Sequence, residues 1–481
     1  MIDLQYLKNR GGSYINRKFI KESKETPVRL ECDVLVAGGG TAGVVAAIAA
    51  ARNGAKTVLI ERNGFLGGTM LGGAGPLHSF FNLWKAFDGV EKIQCVKGIP
   101  DEIIKRLMSE GGCFGHLETE IGYNYDSTAT VVHWEICKGV FFDMMNEEGV
   151  KLLLHTMITD VVKEGDSTQG VIIESKSGRE AVLAKVLIDT TGDGDLAFHA
   201  GAGWLNTHPD AHAGMPFGMA NVDINKAVAF FQENDMLTQL VHAPKEDDTD
   251  NVVRLGFDLK KLPVFREYMD KYGLWGPLAV AHHVRDMSFI NTTNISPLDA
   301  LDVEEITRAE VELRKQVMTM SEMLKAHIPG FENSYLNWTP VHFGVRRTRI
   351  IECEHDITID EIVNGVKTED EIARYGFHDC APRIMIKNGD CYSIPYRALL
   401  PKKVENLLVA GRMITTDWEA HMSTRNTVSC MAMGQGAGTA AALCVKECVP
   451  PRRLDVKKLQ KVLKEQGVYL GQAQSPVTNQ S

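Results

Sequence analysis

Short apolar runs alternate with helical segments in two separate parts of the chain. Near the N-terminus, a β-branched run at 32–37 precedes a small, apolar, helix-forming segment at 42–53, and a second apolar run follows at 57–60. A strand, a helix and a strand within about thirty residues form a βαβ unit, which predicts a parallel sheet. Near the C-terminus, an apolar run at 405–410 and a Gly- and Ala-rich helical segment at 431–448 repeat the pattern.

The middle of the chain has two other kinds of pattern. Alternating segments near 159–163, 170–175 and 180–184 predict an antiparallel meander, because Gly-Asp and Ser-Gly turns separate them. A buried strand at 186–189 is predicted to follow. Residues 206–390 lack the strand–helix rhythm and combine helical stretches with aromatic-rich loops, as an inserted α+β domain would.

These patterns predict an α/β fold with two domains. A dinucleotide-binding domain is expected to comprise residues 31–205 and 391–448, and residues 206–390 are expected to form a cap or substrate domain. Residues 1–30 are polar and are predicted to be a solvated arm, and residues 449–481 a C-terminal helix and tail. A chain of 481 residues can bury cores of this size.

The composition narrows the range of partners. The net charge of −10 speaks against nucleic acid or an anionic membrane, since binding either needs a basic face. The chain has no run of about eighteen apolar residues, so no transmembrane helix is expected. Ten cysteines are scattered without a CxxC pair or iron–sulfur spacing, and no apolar signal core opens the chain. We therefore expect a cytoplasmic protein with reduced thiols and no metal site.

A glycine-rich motif lies between the first predicted strand and the first predicted helix. Gly38, Gly40 and Gly43 form GxGxxG. In this motif the first glycine permits a tight turn, the second lets the backbone approach a pyrophosphate, and the third lets the helix pack on the strand. Thr41 and Ala42 open the helix, whose N-terminus offers unpaired N–H groups and a positive dipole end to phosphates.

An acidic residue completes the dinucleotide pattern. Glu61 ends the second predicted strand, where a carboxylate accepts hydrogen bonds from an adenosine ribose. A glycine-rich turn with an incidental surface glutamate is the alternative. Strand, helix and acid all stand where dinucleotide binding requires them, which favours a cofactor site.

Segments farther along the chain carry a family resemblance. Glu61 and Arg62, followed by Gly-Gly-Thr, resemble the segment after the second strand of glutathione-reductase-like flavoproteins. Residues 189–195 resemble the second FAD motif of that superfamily, and residues 406–412 and 433–441 resemble its last cofactor segment. The further positions that this resemblance assigns to FAD are Gly67, Gly68, Thr69, Thr191, Gly192, Asp195, Gly411, Arg412 and Gly436.

Over most of its length, from about 34 to 470, the chain is similar to the bacterial FAD-dependent oxidoreductase family, including residues 344–349 and 394–400. Fumarate-reductase-type flavoproteins resemble it more distantly. The resemblance implies a glutathione-reductase-like FAD-binding domain with a parallel sheet and an antiparallel meander, an inserted α+β cap and non-covalent FAD. Family habit favours a homo-oligomer. The Gly/Ala-rich last helix would aim its positive end at the anionic edge of reduced flavin, although close packing also explains its small residues.

Two clusters are candidates for the redox chemistry. In the first, His342 and Arg346 precede Arg347 and Arg349, and alternation along a strand would place the first two on one face and the last two on the other. Such arginines bind a carboxylate or stabilise an oxyanion. A strand in which they pair with neighbouring glutamates is an equally open interpretation.

The second cluster lies between Gly411 and the last helix. His421 is the predicted proton-transfer residue, and Arg425 is the predicted contact to substrate or flavin. Cys430 is expected to be a small buried side chain. His78 is expected to be a histidine of the cleft and not a point of covalent attachment.

No second dinucleotide motif follows a strand, so the flavin is expected to exchange electrons directly with substrate. We predict hydride transfer between FAD and a small polar organic substrate, with an unknown electron acceptor or donor. A fumarate-reductase-like reduction of an unsaturated acid, with an arginine near 346–349 as proton donor, stays open because sequence does not show the direction of electron flow. A flavoprotein electron-transfer subunit would need iron–sulfur cysteines, and a tRNA-modifying flavoprotein would need a basic face.

Overall fold

The computed structural model describes residues 20–74, 77–205, 212–244, 252–274, 278–283 and 286–471. Most of the predicted arm and the end of the predicted tail lie outside these residues. The helices are α1 Thr41–Arg52, α2 Ile99–Ser109, α3 Trp134–Glu147, α4 Asp195–Ala200, α5 Ile224–Glu233, α6 Pro263–Tyr272, α7 Val303–His327, α8 Ile359–Val363, α9 Trp418–Thr424, α10 Thr427–Glu447 and α11 Val456–Glu465. The strands are β1 Val28–Ala37, β2 Thr57–Ile60, β3 Leu77–His78, β4 Cys113–Glu118, β5 Thr128–Val132, β6 Lys151–Leu153, β7 Met157–Glu164, β8 Ser167–Ser175, β9 Gly178–Asp189, β10 Trp204–Leu205, β11 Ala213–Gly214, β12 Phe217–Ala220, β13 Leu237–His242, β14 Val252–Phe257, β15 Leu278–His283, β16 Asp286–Asn291, β17 Tyr335–Trp338, β18 Gly344–Val345, β19 Ile350–Ile351, β20 Glu371–Tyr375, β21 Tyr392–Pro395 and β22 Leu407–Val409.

The larger domain is built on a seven-stranded sheet. Strands β6, β2, β1, β9 and β22 run parallel in it. β9 has two partners along one edge, because its first half pairs with β8 in the antiparallel meander and its second half pairs with β22. The third meander segment and the strand predicted at 186–189 are therefore one continuous strand. A parallel sheet that continues into an antiparallel meander confirms the predicted α/β fold class.

Both ends of the described chain belong to the larger domain. β1 begins at Val28, and Val28 and Leu30 pair with Ala181 and Val182 of β9. The predicted boundary between the arm and the larger domain, after residue 30, is therefore too late, because residues 28–30 already belong to the sheet. At the other end, α11 buries its leucines in the core of the same domain.

Helices α1 and α10 pack at unusually close range. A Cβ at Gly434 would lie 2.2 Å from the carbonyl oxygen of Ala42, and one at Gly438 would lie 2.1 Å from that of Ala46. Glycine is required at both positions, because any side chain would push the two backbones apart. Within the described residues, α10 is the one helix long and apolar enough to cross a membrane, and 89% of its most apolar window is buried inside the protein.

The second domain is an antiparallel sheet of order β13-β14-β15-β16-β12-β17 covered by helices α5, α6 and α7. Its core runs from Ala213 to Phe343, which confirms an inserted α+β cap. The predicted end of the cap at residue 390 is too late, because Ile351 and Ile372 are buried in the core of the larger domain. The hairpin of β20 and β21 packs on α10 and not on the cap sheet.

Candidate functional site

The turn after β1 requires glycine at two positions. Gly38 has a φ of +99°, and a Cβ there would lie 2.7 Å from the carbonyl oxygen of Thr190. A Cβ at Gly43 would lie 1.9 Å from the carbonyl oxygen of Gly38, so α1 reaches β1 only without a side chain. The backbone itself explains both glycines.

Gly40 is different, because the protein leaves room for a side chain there. Its φ is −69°, and a Cβ would approach nothing closer than the carbonyl oxygen of Thr190, at 3.9 Å. Gly40 immediately precedes α1, whose N-terminus no described side chain caps, and Thr41 and Ala42 line the adjoining cavity. Backbone donors beside an open position fit a pyrophosphate group.

Glu61 is held rigidly beside this turn. One carboxylate oxygen accepts a hydrogen bond of 2.7 Å from the backbone N–H of Gly39. The other accepts bonds of 2.8 Å from the backbone and the side chain of Asn63. A carboxylate has about four acceptor positions, so Glu61 can accept further hydrogen bonds from hydroxyl groups in the cavity that it lines.

A cavity of about 580 Å³ extends from these loops to the cap domain. A volume of this order suits a small-molecule site. The predicted residues that line it are Gly38, Gly40, Thr41, Ala42, Glu61, Arg62, Gly68, Thr69, Thr191, Gly192, Gly411, Arg412, His342, Arg346 and Arg425. The predicted residues outside its lining are Gly43, Gly67, Asp195, Gly436 and His421.

Three of the outlying positions support the site from behind. Gly67 donates its N–H to the carbonyl of Gly39 at 2.8 Å and so ties the two loops together. Gly436 lies in the third turn of α10, and a Cβ there would meet Ile372 at 2.4 Å, so its predicted cofactor contact is wrong. Asp195 opens α4 and pairs with Arg349 at 2.8 Å, so it too is directed away from the cavity.

Asp193, and not Asp195, is connected to the cavity wall, because it binds Arg412. Its Oδ1 accepts hydrogen bonds from Arg412 at 2.6 Å and from Thr348 at 2.7 Å. This pair holds the Arg412 guanidinium against Gly192, where a Cβ would lie 3.2 Å from its Cζ. Arg412 therefore has a fixed position on the cavity wall, where it contacts Thr69 on one side and Asp193 on the other.

The arginines of this run face different surroundings, as expected, but residues 346–349 lie in a loop after the two-residue strand β18 and not in the predicted strand. Arg346 lines the cavity together with His342. Arg347 donates to the carbonyl oxygens of Thr416 and Asp417, and Arg349 pairs with Asp195. The glutamates near this run are not the partners of Arg347 or Arg349.

The cap end of the cavity concentrates positive charge. Arg425 forms an ion pair with Asp379, and Arg346 lies near both. Burial, together with the charge of Arg425, lowers the pKa of Arg346 to about 10. Among the described residues that line this end, Asp379 is the one carboxylate.

His342 is prepared to accept a proton. Its Nδ1 is 3.0 Å from the carbonyl oxygen of Phe343, and a carbonyl can only accept, so Nδ1 carries the hydrogen. Nε2 is then unprotonated. Burial lowers the pKa of His342, which keeps the ring neutral near pH 7.

His421 does not reach the cavity, and its predicted role in proton transfer is wrong. It is fully buried, and its Nε2 donates to the carbonyl oxygen of Arg346 at 3.0 Å. Burial and the nearby charge of Arg425 hold its pKa well below the usual range, so the ring is neutral, and its place behind the cavity lining keeps it from exchanging a proton with substrate. His421 positions the backbone of Arg346.

His78 is also behind the cavity wall. It is 2% exposed, and its Nδ1 lies 2.7 Å from the Oγ1 of Thr427, the first residue of α10. Thr427 and Cys430 line the cavity, so the N-terminus of α10 opens into it. No described side chain caps this helix end, so its N–H groups are available to a ligand. The predicted interaction of the positive helix end with a ligand requires such free groups.

Sequence reasoning missed Tyr125, Gln239 and Asp379, which line the cavity from three separate segments. None of them belongs to a motif. Tyr125 lies in the loop before β5, Gln239 on a cap strand, and Asp379 after β20. Only the packing of the cap on the larger domain brings them together, so no local signal could have identified them.

Comparison with known proteins agrees with this geometry. The chain matches the model of the family described as FAD dependent oxidoreductase over residues 33–463. It belongs to the FAD-dependent oxidoreductase family and is an enzyme that uses FAD. The loops around Gly40, Glu61 and Arg412 are the parts of this chain that would hold the cofactor.

Curated relatives match a smaller part of the chain. It is 32% identical over 192 residues to thiamine thiazole synthase of Methanococcus vannielii, which is 37% of this chain and 63% of that protein. It is 31% identical over 179 residues to the same enzyme of Methanococcus maripaludis, 35% of this chain and 59% of that protein. The chain thus spans less than two thirds of the length of these relatives.

Two solved structures match this chain at low similarity. A geranylgeranyl bacteriochlorophyll reductase-like protein of Thermoplasma acidophilum is 14% identical, with a TM-score of 0.48 over 91% of this chain and 84% of that one. GidA of Aquifex aeolicus is 14% identical, with a TM-score of 0.47 over 87% of this chain and 64% of that one.

Within the described residues, no group of three or more His, Cys, Asp or Glu is placed to hold a metal. The cytoplasmic location and the homo-oligomer stay predictions.

Proposed function

We propose that the enzyme transfers hydride between FAD and a small polar substrate that carries a carboxylate. The observation that carries the proposal is the pair Arg346 and Arg425 at the cap end of the cavity, with Asp379 as the one acidic residue among the described residues that line it there. Two guanidinium groups against one carboxylate leave a net positive charge, which favours an anionic ligand. A guanidinium group matches the geometry of a carboxylate and fixes its orientation as well as its position.

Bound flavin supplies the hydride acceptor or donor, and the protein must bind the substrate and handle the proton. For oxidation of an alcohol or amine, a neutral base has to take the proton that leaves oxygen or nitrogen. The lining residue suited to this is His342, since its Nε2 is unprotonated and burial keeps it so. Arg346 and Arg425 would hold the carboxylate while His342 accepts the proton.

Reduction of an unsaturated acid is the second candidate, and the lowered pKa of Arg346 favours it. Burial and Arg425 bring that pKa to about 10, which makes Arg346 a stronger acid than an exposed arginine. Arg346 could then give a proton to a carbon centre of an unsaturated acid bound in the cavity, and bound flavin would supply the hydride. The two candidates differ in the direction of electron flow and use the same binding site.

Anaerobic flavin spectroscopy tests the proposal. We would mix the oxidised enzyme with 2-hydroxy acids and amino acids, and with the methyl ester of each, and follow loss of flavin absorbance. The acids should reduce the flavin at least about tenfold faster than their esters, because an ester cannot form the charged contacts. Arg346→Gln should lose this preference, whereas Arg266→Gln on the cap surface should keep it.

Two results decide the outcome. Equal rates with acids and esters, in wild type and in Arg346→Gln, would contradict the carboxylate site. To separate the two candidates, chemically reduced enzyme would be mixed anaerobically with fumarate, crotonate and cinnamate. Reoxidation by these acids, with no reduction by the saturated ones, would select the second candidate.

A further inference from the structure

The cap presents one buried amide to the cavity. Gln239 on β13 is 8% exposed and lines the cavity wall. Its Oε1 lies 3.0 Å from Nε of Arg254 on the neighbouring strand β14. Arginine Nε carries a hydrogen and has no lone pair to offer, so the Gln239 atom that faces it must be the carbonyl oxygen. The amide orientation is therefore fixed by chemistry.

The amide nitrogen is left for a ligand. Nε2 of Gln239 donates to no residue in the described part of the chain, and it is not sealed from accessible space. Because the residue as a whole is buried and lines the cavity, the space that Nε2 reaches is the cavity. An amide N–H in a largely dry site gains a hydrogen bond only when an acceptor arrives.

Arg254 is itself locked in place. It is fully buried, and its Nη1 lies 3.2 Å from Oδ2 of Asp126, a carboxylate outside the cap sheet. Ser79 donates to the same oxygen at 2.7 Å. The guanidinium also lies over the ring of Tyr125, 5.4 Å from its centre. A buried arginine held from three directions cannot follow Gln239 if the amide rotates.

The backbone next to Gln239 narrows its freedom further. Ile121 pairs with Leu240, which brings the loop before β5 onto the edge of the cap sheet. A Cβ at Gly122 would lie 2.6 Å from Cγ of Gln239. Only a residue without a side chain permits this approach, and the loop then closes one side of the space around the Gln239 side chain.

We propose that Gln239 is a specificity-determining residue whose Nε2–H donates to an oxygen acceptor of the substrate, and that Arg254 is the positioning residue that holds it so. The inference rests on the proposed function, since it places the substrate at the cap end of the cavity. It names the chemistry of the second substrate contact: a carboxylate or carbonyl oxygen is favoured. An ammonium group can only donate and is disfavoured, and a primary amide can bond Gln239 only through its neutral carbonyl oxygen, which is a weaker acceptor than a carboxylate.

Ligand titration of the FAD-loaded enzyme tests the inference. The probes are propionate, succinate and benzoate and the corresponding primary amides, and the readout is the shift of the flavin absorption spectrum. Wild type should bind each acid more tightly than its amide. Gln239→Glu replaces the donor by an acceptor, so it should weaken binding of the acids by about tenfold or more and leave the amides unaffected or tighter.

Two further variants keep the result interpretable. Gln232→Glu adds the same charge on the exposed surface of the cap and should leave every affinity unchanged. Arg254→Lys keeps the positive charge but loses the planar guanidinium group that holds Gln239. It should therefore reduce the preference for acids over amides, while the FAD content stays that of wild type.

The failures of the two proposals can be told apart. If Gln239→Glu and Gln239→Leu bind the acids as wild type does while Arg346→Gln does not, Gln239 is no determinant and the carboxylate site stands. If wild type binds none of the acids, the carboxylate site is wrong and the role of Gln239 falls with it.

Discussion

Replacing Gly434 with alanine should loosen the contact of α10 with α1 and weaken FAD binding. The new Cβ would lie 2.2 Å from the carbonyl oxygen of Ala42. Both atoms are fixed to helix backbones, so relief requires the helices to separate by roughly 1 Å. Ala42 also lines the cavity, and its movement would shift the N–H groups at the start of α1. Overpacking of this kind costs about 1–3 kcal/mol of stability.

The assay pairs FAD titration of the apoprotein with thermal unfolding of the apo and FAD-loaded forms. Gly139→Ala on α3 is the control, because it is the same substitution within a helix and a Cβ there would meet nothing within 4 Å. We expect Gly434→Ala to lose stability in both forms and to bind FAD about tenfold more weakly or worse, since charge-assisted bonds depend on donor position. Wild-type FAD affinity in Gly434→Ala would refute the link between this contact and the cofactor site.

Three histidines give further predictions. Burial lowers the pKa of His78 to about 3, so only the unfolded state takes up a proton at this histidine as the pH falls below 6.5. The free energy of unfolding should therefore drop by about 2 kcal/mol from pH 7 to pH 5. Urea titrations of His78→Gln should lack that drop. His421→Asn should keep its FAD but raise KM for carboxylate substrates, because Arg346 loses its support; an unchanged KM would argue against a positioning role. Since burial lowers the pKa of His342, the rate of flavin reduction should stay level through pH 7 and fall only in more acidic solution, and a profile that is the same in His342→Gln would remove His342 from proton transfer.

The sequence predicts those parts of the site in which backbone conformation and backbone contacts restrict the residue type. Gly38 and Gly43 are required by φ and by contact distance, so the motif follows from local geometry alone. Glu61 ends a strand whose neighbours are fixed by the parallel sheet. The separation of Arg346 from Arg347 is expected from strand alternation, but both residues follow the two-residue strand β18 and lie in a loop, so alternation does not explain it.

Other features depend on packing that no local pattern encodes. The residues after 350 look like cap sequence because they lack regular alternation, yet they bury Ile372 against α10. Asp193 and Asp195 are equivalent in the motif, and only the positions of Arg412 and Arg349 decide which one faces which partner. His421 follows the predicted turn but points into the core.

FAD should occupy the space over Gly40, and a substitution at that position tests this assignment most directly. The backbone at Gly40 accepts a Cβ without strain, because its φ is negative and the nearest described atom beyond its own chain neighbours would lie 3.9 Å from that Cβ. Gly40→Val and wild type would be purified together, and their visible spectra and apoprotein unfolding temperatures compared. We predict a yellow wild type that releases FAD on acid precipitation, and a colourless variant with the unfolding temperature of wild-type apoprotein. Full flavin occupancy in Gly40→Val would contradict the assignment.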